Sequence, residues 1–107
     1  MQHRQIINVI NFIRGCEPRS ETDLVTPVRE QIDLMQKHGL RGTFLLQYDA
    51  LIRPDFQALL RPLDPEQFEL GIWYEYNQPL VEKAGLVWRG RFPWDWHSDC
   101  AMSVGYT

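Results

Sequence analysis

Apolar and polar positions along the chain alternate between two periods. Residues 6–13, Ile-Ile-Asn-Val-Ile-Asn-Phe-Ile, are β-branched and apolar, interrupted only by Asn8 and Asn11. Such a run predicts a buried strand. Gly15, Pro18 and the polar stretch to Asp23 predict a loop. Thr26-Pro27 has the form of an N-cap followed by proline at the first helical position. Val28, Ile32 and Met35 then recur at helical spacing. Lys37 and His38 fall in the last turn, and Gly39 is the expected stop.

The pattern repeats. Residues 42–46 predict a second strand. Pro54–Leu60 predicts a second helix with Phe56, Leu59 and Leu60 on its apolar side. Asp64-Pro65-Glu66-Gln67 has the form of a capping box for one further turn. Phe68–Tyr74 predicts a third strand, Pro79–Ala84 a short helix ended by Gly85, and Leu86–Trp88 a fourth strand. Strands alternating with helices imply an α/β fold with three to four parallel strands and crossover helices. In such folds working groups gather at the C-terminal ends of strands.

Length and composition narrow the picture. At 107 residues with 44% hydrophobic content, the chain predicts one α/β domain with a core of its own. No run approaches the ~18 apolar residues of a membrane span. Residues 1–13 lack a cleavable signal pattern, which predicts a cytoplasmic location. A net charge of −3 argues against a general nucleic-acid binder. No phosphate loop, dinucleotide glycine pattern or Cys-x-x-Cys pair is present, so no cofactor is expected. Cys16 and Cys100 are too few for a disulfide scaffold; two thiols and one bridge both remain open.

Three segments together resemble a known family. Asn11-Phe12-Ile13-Arg14-Gly15 resembles the Thr-Phe-Asp-Asp-Gly motif of polysaccharide deacetylases, in the glycoside hydrolase/deacetylase superfamily. Residues 34–44 resemble that family's helix, His-Gly turn and Ala-Thr-Phe-Phe strand, and Glu69-Leu70-Gly71 its Glu-Ile-Gly. Trp94-Asp95-Trp96-His97 resembles a loop of an uncharacterised deacetylase-like subgroup. The resemblance spans about residues 6–77 and implies an irregular (β/α) barrel of which this chain is the N-terminal part. A whole barrel is longer; the common eight-stranded form takes ~250 residues.

The same resemblance places the family's base and metal ligands on Ile13, Arg14, Trp73 and Asn77. None of these side chains is the thiolate, imidazole or carboxylate that a catalytic zinc site uses. Metal-dependent deacetylation is therefore not expected of these positions, and no metal site is assigned.

The remaining candidates come from the residues themselves. Nine of the thirteen aromatics lie after residue 67. Glu75 and Asp95, with His97, form the candidate catalytic group. Glycosidase chemistry needs two carboxylates, ~5–5.5 Å apart for retention and ~6.5–9.5 Å for inversion. The competing reading pairs Glu75 with Arg89 or Arg91 and makes the tryptophans core. Trp73, Trp94 and Trp96 form the candidate sugar platform, and Arg14 the contact to an anionic group. Asp95, His97 and Asp99 alternate, a spacing that could also hold a metal. The expected partner is a carbohydrate. An open parallel sheet also exposes edges and an apolar face, which predicts a homo-oligomer or a missing C-terminal part of the barrel. On that alternative the chain is a protein-interaction or self-associating module.

Overall fold

The computed structural model of the chain describes residues 4–16, 23–74 and 76–90. Among them the elements run β1 (Ile10–Ile13), α1 (Thr26–Lys37), β2 (Gly42–Leu46), α2 (Tyr48–Leu51), α3 (Pro54–Leu60), β3 (Phe68–Ile72) and α4 (Gln78–Lys83). The strands form one parallel sheet in the order β1-β2-β3. The fold is α/β, with an open three-stranded sheet and helices between the strands.

Register decides which side chains share a face. Asn11, Phe44 and Leu70 lie abreast, as do Ile13, Leu46 and Ile72. Side chains alternate along each strand, so both rows point to one face and Phe12, Leu45 and Gly71 to the other. The first face is the core. Ile13, Phe44, Leu46 and Phe68 are buried there with Val28, Ile32 and Met35 of α1 and with Phe56 and Leu60 of α3. Both long helices therefore cover the same side of the sheet. On the other side Ile10 and Phe12 are 51% and 58% exposed.

Local chemistry explains the helix ends. Gly39 and Gly85 follow α1 and α4 at φ +63° and +78°, the left-handed stop expected of both. The start of α1 differs from expectation. Its N-cap is Val25, and the capping oxygen comes from Asp23, whose Oδ1 accepts the N–H of Val25 at 2.9 Å and of Thr26 at 3.0 Å. A carboxylate placed before Val25 satisfies two orphan donors at once, leaving Thr26 inside the helix. Asn77 caps α4, its Oδ1 accepting the Leu80 N–H at 3.2 Å.

Other boundaries shift for stated reasons. β1 begins at Ile10 rather than at residue 6, because Ile6 and Ile7 have no strand beside them and stand 79% and 85% exposed. Asn11 sits on the core face, where its side chain accepts from Gln31 Nε2 and donates to Met35 Sδ, both on α1. Asp64–Gln67 makes the one expected turn, with the N–H groups of Gln67 and Phe68 donating to Asp64 O at 3.0 Å and 2.9 Å, but not the reciprocal capping box. Asp64 Oδ1 accepts the Glu66 N–H at 2.9 Å, while Gln67 reaches away to donate to Leu40 O at 2.8 Å. Leu86–Trp88 forms no strand; Leu86 and Val87 are exposed and pair with no neighbour in the sheet. α2, four residues long, was too short to show a period.

Phe44 is fully buried, with its ring 5.8 Å from that of Phe68. Phe44→Ala is expected to cost about 3–5 kcal/mol through lost transfer energy and the cavity left behind. Urea denaturation measures this as a lower midpoint at unchanged slope.

Candidate functional site

The buried polar residues gather at one end of the molecule. Among the described residues these are Gln47, Asp49 and Asn77. Gln47 and Asp49 follow β2, and Asn77 follows β3, so all three lie at the C-terminal end of the sheet. β1 ends there too, on Arg14 and Gly15.

Gly15 is the point where these pieces lock. Its N–H donates to Asp49 Oδ1 at 2.9 Å, and its carbonyl accepts from Arg53 Nη1 at 3.2 Å. A Cβ at this position would stand 2.5 Å from the backbone carbonyl carbon and oxygen of Asp49. Only glycine permits so close an approach. Arg53 is held in turn by Asp55, through a pair of contacts at 2.6 Å and 3.1 Å, and its guanidinium lies 4.9 Å from the centre of the Phe56 ring.

Asp49 is only 6% exposed. Burial pushes its carboxyl above the ordinary aspartate value, because the charged form loses water. The N–H groups of Gly15 and Ala50, with Arg14 and Arg53 nearby, pull in the opposite direction and only partly offset that cost. Asn77 carries a different imbalance. Its Oδ1 serves the cap, but its Nδ2 is buried without a hydrogen-bond partner among the described residues. An unmet buried donor costs ~1–3 kcal/mol.

The sequence-predicted residues divide into two sets. Arg14 and Trp73 are brought together: the Arg14 guanidinium carbon lies 4.8 Å from the centre of the Trp73 ring. Phe12 meets the same indole edge-on at a centroid distance of 4.7 Å. Trp73 extends the sheet ladder by one bond, its N–H donating to Leu46 O at 2.9 Å. The proposed platform is thus a composite of indole, guanidinium and Phe12, rather than a bare indole face. Glu75, Asp95, His97, Trp94 and Trp96 lie outside the described residues, as do Asp99, Arg91 and Cys100.

Four positions were aligned above with a base and metal ligands. Ile13 is in the core, Arg14 lies against Trp73, Trp73 packs on Phe12, and Asn77 caps α4. An alkyl group, a permanent cation, an indole and an amide do not make a divalent-cation site. Among the described residues no three His, Cys, Asp or Glu side chains lie close enough to hold a metal ion. No described helix is long and apolar enough to cross a membrane.

Asp49 is the residue that sequence reasoning passed over. It lies three residues past β2, and nothing in its neighbours in sequence marks it as buried. Its importance comes from Gly15, thirty-four positions away. Comparison with protein-family models, with curated proteins and with solved structures found no match.

The burial of Asp49 sets a pH dependence. Its folded pKa is raised, so the folded state holds a proton that the unfolded state releases. Stability from this group is present below the ordinary aspartate value and is lost as pH rises through the raised one. Asp49→Asn keeps an acceptor for Gly15 and carries no charge. It is expected to remove that fall with pH, and at neutral pH to match or exceed the parent protein. Asp49→Ala strands the Gly15 N–H and is expected to cost about 1–3 kcal/mol. Urea denaturation of the three proteins from about pH 3, below the ordinary aspartate value, to about pH 8 checks both signs.

Proposed function

We propose that the chain is a deacetylase-like, carbohydrate-binding α/β unit that does not use the family's metal chemistry. The sugar is held at the C-terminal end of the sheet, on the composite surface of Trp73 and Arg14. One observation carries this reading: the indole and the guanidinium lie side by side where parallel strands end, on the face that the helices leave open.

The chemistry supports it in two ways. Indole faces and edges present the flat apolar surface that the C–H side of a pyranose ring packs against. Arg14 adds a fixed cation whose planar donors suit a carboxylate. Together they favour a sugar bearing a carboxylate over a neutral one. The resemblance to polysaccharide deacetylases points to the same substrate class. On this reading the sheet is part of a (β/α) barrel, and catalysis by Glu75 and Asp95 is a separate question from binding.

Isothermal titration with uronate oligosaccharides and with neutral ones of the same length tests the reading. Uronate binding is expected, with Trp73→Ala weakening it about tenfold, ~1.4 kcal/mol. Arg14→Gln is expected to remove the preference for the charged sugar. The absence of heat with either sugar, or binding that survives Trp73→Ala unchanged, overturns the proposal.

A further inference from the structure

Gly15 joins the candidate site to a buried carboxyl. Arg14 lies 4.8 Å from the centre of the Trp73 ring, and the next residue, Gly15, donates its N–H to Asp49 Oδ1 at 2.9 Å. The bare Cα of Gly15 lets the Asp49 backbone approach; a Cβ there would stand 2.5 Å from the Asp49 carbonyl. Asp49 is thus tied to the residue beside Arg14, and it is only 6% exposed.

The charges around Asp49 come from several elements. Arg14 follows β1, and Arg53 precedes α3. Both favour the ionised carboxyl, Arg14 the more strongly. Arg53 is engaged by Asp55 of α3 at 2.6 Å, and Asp23, before α1, acts on the same guanidinium. β2 carries no titratable side chain. α4 packs on α2, the helix that holds Asp49, but its charged residues Glu82 and Lys83 are exposed. Tyr48 beside Asp49 and Cys16 beside Gly15 are half-buried, and a phenol or thiol ordinarily ionises well above a carboxyl. Arg14 is therefore the cation most directly answerable to Asp49.

We propose that Asp49 is a specificity-determining residue of this site, and that its proton sets how tightly Arg14 holds an anionic sugar. The ligand in this inference rests on the carbohydrate reading given above. With the proton on, Asp49 is neutral, and the field of Arg14 is left for a carboxylate bound against Trp73. With the proton off, the buried anion offsets that field and repels the incoming carboxylate. Burial lowers the dielectric around Asp49, so its charge reaches Arg14 with less screening than a surface charge has. Sugar and proton then favour one another by the same factor. Burial also raises the Asp49 carboxyl, which carries the transition above the ordinary aspartate range.

Isothermal titration of the full chain with a uronate oligosaccharide, from about pH 4.5 to about pH 8 so that the sugar carboxylate stays ionised, tests the inference. Affinity is expected to be highest at the acid end and to fall about fivefold across the range, the lower end of ordinary coupling between sites. Proton uptake on binding is expected, read as a heat that changes with the ionisation enthalpy of the buffer. Asp49→Asn is expected to bind as the protonated parent does at every pH. A second measurement needs no ligand. In ¹³C NMR the Asp49 carboxyl titrates with the same midpoint as the affinity, and Arg14→Gln moves that midpoint up by about half a pH unit, threefold in the proton equilibrium. The NMR titration and the proton uptake of the parent decide the matter if Asp49→Asn fails to fold. Uronate binding that is flat with pH, an equal fall in Asp49→Asn, or an Asp49 midpoint indifferent to Arg14→Gln overturns the inference and leaves the carbohydrate reading standing. No uronate binding at any pH overturns both.

Discussion

One-sided burial is the constraint on which the rest of this structure depends. Three parallel strands in sequential order place both long helices over the same face of the sheet. Phe44, Phe56 and Phe68 fill that side, and the hydrophobic stabilisation of the fold is concentrated there. The other face is then left to do something other than hold the protein together. Among the described residues it carries apolar side chains, Ile10 and Phe12, that no helix covers. The candidate site is one consequence of that division.

Much of the core was legible because it obeys simple periods. Val28, Ile32 and Met35 recur at helical spacing and are buried together; Gly39 and Gly85 mark helix ends by the backbone angle they supply. Prolines at positions 27 and 54 fixed two helix starts to within a residue. The failures share a physical cause: each depended on a partner distant in sequence. Leu86–Trp88 has strand-forming residues but no neighbour to pair with. Gln67 has the right spacing to close a capping box, yet its amide donates instead to the carbonyls of Met35 and of Leu40, three residues past α1. α2 is too short for any period to appear.

The site was legible in part for the same reasons. Arg14 and Trp73 could be placed at one end of the sheet because Arg14 follows one predicted parallel strand and Trp73 lies near the C-terminal end of another. Asp49 could not be singled out, because an aspartate after a strand reads as an ordinary solvent-facing residue. What distinguishes it is the removal of water by the elements packed around it and the single N–H of Gly15, neither of which is encoded locally. Trp94, Asp95, Trp96 and His97 rest on the sequence alone, since they lie outside the described residues.

Arg53 gives the site a mechanical consequence. The residue immediately before the first proline of α3 grips the carbonyl of Gly15, pairs with Asp55 in the first turn of that helix, and lies over Phe56 in the core. A single guanidinium thus joins the end of β1, the start of α3 and the hydrophobic interior. A shift of Gly15 relative to the first turn of α3 gives up the contact with Arg53. Tilting α3 by repacking Phe56 would therefore be transmitted to the mouth of the site without any change in a residue that lines it.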